Sequence, residues 1–420
     1  MATNRRPFVA DRANDLVEQF GSPLYVFDEA RLRENYRSLR AALDDHYPDS
    51  RIHYAVKANY NLGVLSVLRD AGAAAEAFAS CERTAALEAG FDPSDVLLTG
   101  QNRTQESVES ALNAGVDRLL VDNETELETV IAAAAATDTR PGVLVRGNPA
   151  MELPTHPDIA TATRESKFGL DVESGRALAV ARRAADAEAV RLDGVQLHVG
   201  SQITAAEPYA VAARSMVEFA AAIRDETDVE IGVLDMGGGF PVAYDDAVPA
   251  TEDVLETLAD AVRAACDAHD LAEPRLLFEP GRRLVAEAGA LLTTVGVVKN
   301  TPHADFAILD AGSNLVGHWP YPIYAAEDAP AERRYHVAGP LCYSGDVLAE
   351  DVELPELSRG DVVVVDRVGA YALSGASNTN ATPRPAAVLL DGYGDPHVVR
   401  ERETCADLTR HDAVPGHLTE

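Results

Sequence analysis

Through about residue 284, short apolar runs rich in β-branched residues alternate with longer alanine-rich stretches. In those stretches the apolar positions recur every three to four residues, the spacing of a helix with one buried face. Eight runs predict strands, in order Arg51–Val56, Ala74–Ala79, Asp95–Thr99, Asp117–Val121, Gly142–Arg146, Gly194–Val199, Ile231–Met236 and Arg275–Phe278. Between them the spacing predicts helices at Leu62–Ala71, Ser107–Ala114, Glu124–Ala136, Ser174–Ala187, Pro208–Arg224 and Glu252–His269. Asn123 followed by Glu126 has the form of a capping box, in which each side chain satisfies the other's backbone N–H at a helix start. Eight β-then-α units within about 230 residues predict a (β/α)8 TIM barrel. The rival is a doubly wound sheet, which rarely needs eight such units.

The pattern changes after about residue 284 to short strands separated by turns: Ala290–Val298, Phe306–Leu309, Asp361–Val365 and Ala387–Leu390. These predict an all-β domain. Leu24–Phe27, near the start, is expected to pair with it before the barrel begins. The expected division is a barrel over 35–284 and a β domain built from 1–34 and 285–420. Residues 323–336 read as a surface loop. There is no internal repeat beyond the β/α alternation.

Composition narrows the class. A chain of 420 residues with 46% hydrophobic content can bury one large core and a smaller one. No run of eighteen apolar residues exists, so no transmembrane helix is expected. Met1–Phe8 lacks the apolar segment of a secretory signal. Cys81, Cys266, Cys342 and Cys405 are far apart and form no CxxC, which points away from a zinc site or a disulfide framework and toward a reducing cytoplasm. The formal charge is −32, from 68 acidic against 36 basic residues, which excludes nucleic acid as the main partner. The acids are scattered and lysine is scarce, a composition suited to concentrated salt and so to a halophilic source.

That scarcity makes Lys57 conspicuous. It ends the first apolar run and is one of three lysines, with Lys167 and Lys299. Arginine stays protonated, whereas a desolvated lysine can lose its proton and attack an aldehyde. The other unusual residues also fall at predicted strand ends: His198-Val199-Gly200-Ser201, Asp235-Met236-Gly237-Gly238-Gly239-Phe240 and Glu279-Pro280-Gly281-Arg282. Taken singly, His198 reads as a satisfied core histidine, the glycines as a tight turn and Glu279 as a paired surface acid. Barrel active sites, however, gather at the C-terminal ends of the strands, and all of these residues converge there. A glycine nest can hold a phosphate dianion and a lysine an aldehyde. A carboxylate can hold a protonated pyridine nitrogen, and an imidazole can stack on a flat ring. Those are the needs of pyridoxal 5'-phosphate, an electron sink for a carbanion at Cα.

With these motifs the chain resembles the pyridoxal phosphate decarboxylases of alanine-racemase fold, which include the diaminopimelate, ornithine and arginine enzymes. The resemblance spans nearly the whole sequence and rests on Tyr54-Ala55-Val56-Lys57-Ala58-Asn59, Ser166-Lys167-Phe168-Gly169, the three strand-end motifs, Asp310-Ala311-Gly312, Gly339-Pro340-Leu341-Cys342 and Gly369-Ala370-Tyr371. The spacing is most similar to that of diaminopimelate decarboxylases. The resemblance implies that Lys57 holds the cofactor aldehyde, His198 stacks on its ring and Glu279 pairs with its nitrogen. It places Ser201, Gly237, Gly238, Gly239, Gly281 and Tyr371 around the phosphate. Arg282 is implied at a substrate carboxylate or beside the phosphate. Cys342 is implied to protonate Cα after CO₂ leaves, from the partner subunit of a homodimer that shares its active sites and acts on a small amino acid.

Three positions depart from that pattern. The glutamate that usually follows the catalytic cysteine is Tyr343 here. The arginine expected after Asp-Ala-Gly is missing from Gly317–Tyr324. The Tyr-Asn pair late in the family sequences reads Thr379-Asn380. Tyr343, Tyr324 and Arg282 are the expected substrate contacts, in a pocket made more aromatic by Trp319 and Tyr321; Arg333 or Arg334 is a candidate for the missing arginine's role. Decarboxylation of meso-diaminopimelate to L-lysine is the expected reaction, with another amino acid as the alternative substrate. A racemase pairs the pyridine nitrogen with arginine, against which Glu279 argues. A non-catalytic pyridoxal phosphate carrier lacks the β domain and the Gly-Pro-x-Cys motif.

Overall fold

The computed structural model describes residues 7–151, 161–244 and 246–418; the sequence reading of Met1–Arg6 lies outside them. The chain separates into two compact units, Leu32–Leu284 and the residues through Arg31 together with Val285 onward.

The first unit is a closed barrel of eight parallel strands: Ser50–Ala55, Ala74–Ala77, Val96–Leu98, Arg118–Val121, Gly142–Asn148, Arg191–Gln196, Val233–Asp235 and Arg275–Phe278. Each pairs with the next in sequence, and the eighth closes on the first through Leu276 opposite Ser50. All eight expected strands are present. The expected helices are present too; Leu62–Ala71 has the expected bounds, and Glu207–Thr227 outruns the prediction at both ends.

The barrel's layering decides where chemistry can sit. Leu97, Leu120, Leu144, Val233 and Leu277 form one buried apolar cluster. Side chains two residues apart on a strand share a face. One step further along the same strands stand Thr99, Asp122, Arg146, Asp235 and Glu279, all buried. An apolar floor therefore carries a polar layer at the strands' C-terminal ends.

Helix Glu124–Thr137 starts on half of the expected capping box. Asn123 Oδ1 accepts the Glu126 N–H at 3.0 Å. The Glu126 carboxylate reaches past Asn123 to accept from the Asp122 N–H at 3.0 Å, and Arg103 lies against it at 3.4 Å.

The second unit is mainly one sheet. Its order is Val347–Leu354, Arg333–Ala338, Asp305–Leu309, Gly289–Asn300, Leu24–Asp28, Ala386–Leu390 and Pro396–Arg400, with Val362–Asp366 and Ile323–Ala325 branching from it. Leu24–Asp28 lies antiparallel to Gly289–Asn300 and parallel to Ala386–Leu390.

Residues 323–336 are not the expected surface loop. Ile323–Ala325 pairs with Val362–Asp366, and Arg333–Ala338 is an internal strand of the sheet. Tyr324 packs into the core with Leu24, Val26, Leu292 and Val364. Tyr335 is fully buried in a second cluster. Arg333 is engaged with Glu356 at 3.3 Å, and Arg334 with Asp351 at 2.6 Å and with Glu353. Neither is a spare cation for a substrate. Among the described residues, no helix is long and apolar enough to cross a membrane.

Candidate active site

Lys57 leaves the first strand in a short 3-10 turn, Val56–Ala58, and its ammonium lies 2.5 Å from Glu76 Oε2 at the end of the second strand. Glu76 is 1% exposed and accepts a second bond from Thr99 Oγ1 on the third. On the fifth strand Arg146 pairs with Asp122 at 3.5 Å and stacks on the Phe168 ring at 4.7 Å. Asp122 also accepts the Gly169 N–H at 2.8 Å. This ties the Ser166-Lys167-Phe168-Gly169 segment to the strand ends, beside a polar cleft of about 700 Å³ lined in part by Gln101, Asp122, Asn148 and Lys167.

His198 is partly buried, and its basicity is pushed down to about 3 by desolvation, with the positive charges of Arg146 and Lys57 adding to it. The ring is neutral at physiological pH. Nδ1 accepts the Gly238 N–H at 3.1 Å, so the ring's own proton sits on Nε2. Beside it the chain turns through Gly237 and Gly239 at φ +64° and +97°, a region that disfavours side chains. Side chains would also collide: a Cβ on Gly237 would lie 2.7 Å from His198 Nδ1, and one on Gly238 would lie 2.3 Å from the Glu279 carbonyl oxygen. The backbone is packed closely enough for the Gly237 and Gly238 N–H groups to bond Asp235 and His198, which fixes the turn and leaves no space for side chains.

Glu279 and Asp235 are neighbouring carboxylates at the ends of the eighth and seventh strands. Burial raises Glu279 well above the usual carboxylate range, with the negative charges of Asp235 and Glu76 acting in the same direction. Burial also raises Asp235, to about 6, against the hydrogen bond it accepts from the Gly237 N–H. Glu279 Oε2 accepts from Gln196 at 3.3 Å, while Oε1 is buried with no hydrogen-bond partner among the described residues. A buried oxygen of a crowded acid pair calls for a cationic donor. Arg282 follows, with Nη1 3.1 Å from the Tyr244 hydroxyl and Nε 3.5 Å from Ser201 Oγ. Gly281 is buried in the turn before it.

The barrel unit thus brings together Lys57, His198, Ser201, Gly237, Gly238, Gly239, Glu279, Gly281 and Arg282. Cys342, Tyr343 and Tyr371 belong to the other unit, where all three are exposed, Tyr343 by 58%. Tyr371 precedes a short helix with φ +64°. Sequence reasoning gave no role to Glu76, Thr99, Arg146, Gln196 or Asp235. The available signal was a charged or amide residue breaking an apolar strand near its C-terminal end, as in Ala74-Ala75-Glu76-Ala77 and Val143-Leu144-Val145-Arg146.

Residues 29–286 match the pyridoxal-binding domain of the pyridoxal-dependent decarboxylases. The chain belongs to that family. It is therefore a carboxy-lyase that uses pyridoxal 5'-phosphate. The diaminopimelate decarboxylase of Pseudomonas aeruginosa is 38% identical over 400 residues, covering 94% of this chain and 93% of that one. The diaminopimelate decarboxylase of Methanothermobacter thermautotrophicus is 36% identical over 416 residues, covering 97% and 95%. The crystal structure of the M. jannaschii diaminopimelate decarboxylase in complex with L-lysine superposes with a TM-score of 0.90 at 34% identity, covering 97% and 95%.

The site fits the cofactor on its own geometry. The glycine turn keeps side chains out of that end of the site, and the buried Glu279 carboxyl suits a protonated ring nitrogen. A neutral, partly accessible imidazole suits stacking, and Lys57 stands at the first strand's end.

Proposed function

We propose that this protein removes the carboxylate at one Cα of meso-diaminopimelate, releasing CO₂ and L-lysine. The near-full-length likeness to diaminopimelate decarboxylases carries the reading. Pyridoxal phosphate, when bound, takes up the electron pair left at Cα as CO₂ departs. The protein's own residues then divide the work. Lys57 holds the cofactor's aldehyde carbon, with Glu76 keeping the lysine nitrogen in place. Ser201 and the turn of Gly237 to Gly239 hold the phosphate, with Gly281 and Tyr371 completing that end. His198 lies on the ring. Glu279 keeps a proton on the ring nitrogen, and burial beside Asp235 makes that proton costly to lose. Arg282 receives a substrate carboxylate or braces the phosphate through Ser201. Cys342 returns a proton to Cα.

Two copies of the chain pair, so that Cys342 of each serves the barrel of the other. The exposure of Cys342 and Tyr343 in the single chain supports that arrangement. The cysteine pattern supports a cytoplasmic enzyme, and the charge of −32 a halophilic one.

A second reading, decarboxylation of a different amino acid on the same machinery, is favoured by Tyr343 in place of glutamate and by the absence of arginine from Gly317–Tyr324. A site without charged partners for a distal amino-acid head discriminates less in its favour. The deciding experiment is CO₂ release, in high salt with added cofactor, from meso-diaminopimelate, lysine, ornithine, arginine and larger amino acids with uncharged tails. Preferred turnover of meso-diaminopimelate supports the first reading. Preference for another member establishes the second.

A further inference from the structure

The loop that carries Cys342 is built around one carboxylate. Asp346 is 3% exposed. Its Oδ2 accepts the Leu341 N–H at 2.9 Å, one residue before the cysteine. Its Oδ1 accepts the Ser313 N–H at 2.6 Å, from the segment that begins Asp310-Ala311-Gly312. Its backbone closes the loop: Asp346 N–H donates to the Tyr343 carbonyl at 3.0 Å, and the Asp346 carbonyl accepts from the Gly339 N–H at 2.9 Å. A Cβ on Gly312 would lie 2.7 Å from the carboxylate, and one on Gly339 would lie 2.3 Å from it. Both glycines leave room for this acid. A carboxylate accepting two backbone N–H bonds fixes direction as well as distance. Cys342, meanwhile, is exposed at the loop's tip, so its placement rests on the loop rather than on side-chain packing.

We infer that Asp346 is a positioning residue that aims the Cys342 thiol at the carbon to be protonated. Through Ser313 it also keeps that loop in register with the segment leading to the altered stretch Gly317–Tyr324. The inference rests on the reading of Cys342 as the proton donor. Without an aimed thiol, the proton adds to the cofactor's aldehyde-derived carbon instead of Cα. Water then releases the substrate skeleton as a carbonyl compound and leaves the cofactor as its amine, pyridoxamine phosphate. No outside oxidant or reductant is required, because the carbonyl product is oxidised by the two electrons that the cofactor gains.

The test measures, for the holoenzyme, what fraction of decarboxylated substrate ends as carbonyl product with pyridoxamine phosphate rather than as amine. It uses meso-diaminopimelate, or the panel member that is turned over in its place. Cys342→Ala is expected to raise that fraction about tenfold or more. Asp346→Asn, whose amide can accept only one of the two N–H bonds, is expected to raise it several-fold, with KM and the cofactor's visible band within about twofold of the unmodified protein. Ser313→Pro deletes one of the two donors at a first helical position that tolerates proline. It is expected to move the fraction the same way by less, and so keeps the test decisive if Asp346→Asn does not fold. The double variant Asp346→Asn with Cys342→Ala is expected to match Cys342→Ala alone. An unchanged product fraction in both Asp346→Asn and Ser313→Pro, or a double variant well beyond Cys342→Ala, overturns the inference. An unchanged fraction in Cys342→Ala instead removes Cys342 as donor, a separate failure that takes the inference with it.

Discussion

Lys57 Nζ and Glu76 Oε2 lie 2.5 Å apart, and the carboxylate is 1% exposed, so Lys57 faces a fixed negative charge at the strand ends. That charge stabilises a cation at the lysine nitrogen, whether free ammonium or protonated cofactor linkage. At a few ångströms and an effective dielectric of about 20, one charge is worth on the order of several kcal/mol. Glu76→Gln should therefore lower the pH at which the visible cofactor band titrates by about one unit or more. Absorbance spectra of the loaded protein against pH check this; an unmoved midpoint would show that the pair does not govern the linkage. Lys57→Ala should abolish the band altogether.

Glu279 should matter more for rate than for cofactor retention. Glu279→Gln keeps the shape and removes the charge that holds the ring-nitrogen proton. A fall in kcat of about 10²–10³ is expected, the scale of losing one placed electrostatic partner. Steady-state kinetics alongside a titration of cofactor affinity separate the two effects. Affinity should change far less than kcat.

Two desolvated histidines give the barrel a pH dependence of known sign. His53 and His198 are each pushed down to about 3, first by burial, with nearby positive charge adding to it. In the unfolded chain each recovers a value near 6.5. Below that pH the unfolded state takes up protons that the folded state refuses. Stability is therefore full above about 6.5 and falls as pH drops toward 3, by at most about 1.4 kcal/mol per pH unit for each histidine. His53→Phe should flatten this slope, because His53 Nδ1 has no hydrogen-bond partner among the described residues to lose. Denaturant midpoints measured from pH 7 to pH 4 for both proteins provide the comparison.

Salt should stabilise the protein. With a formal charge of −32, the folded chain repels itself. The screening length shrinks from about 10 Å at 0.1 M to about 3 Å at 1 M salt. Thermal unfolding in rising potassium chloride should show Tm climbing by several degrees over that range. A flat or falling Tm would count against adaptation to concentrated salt.

The barrel was legible because its strands are largely buried on both faces, so most read as short apolar runs between amphipathic helices. The chemistry was legible where a rare residue ends such a run, as with Lys57, His198 and Glu279. It was hidden where the partner is an ordinary acid or arginine inside a run, as with Glu76 and Arg146. The sheet of the second unit was harder to see. Arg333–Ala338 opens with two arginines, and Val347–Leu354 carries Glu350, Asp351 and Glu353 at its exposed positions. On a chain this acidic, those charges mask the apolar alternation that marks a strand. Ile323–Ala325 misled for a related reason: Pro322 and the polar residues after Ala326 made a mostly buried three-residue strand look like part of a loop.

Leu24–Asp28 is a central strand of its sheet, yet both of its neighbours, Gly289–Asn300 and Ala386–Leu390, are encoded more than 250 residues later. During synthesis the ribosome therefore releases a sticky β-segment with nothing to pair with until the entire barrel has been made. Contacts so distant in sequence close slowly. The barrel, whose strands pair with their sequence neighbours, can fold while the chain is still growing, and the orphan strand must be kept from aggregating in the meantime. Moving the chain ends by circular permutation, so that residues 7–31 follow residue 418, would let the sheet assemble from consecutive segments and should shorten refolding.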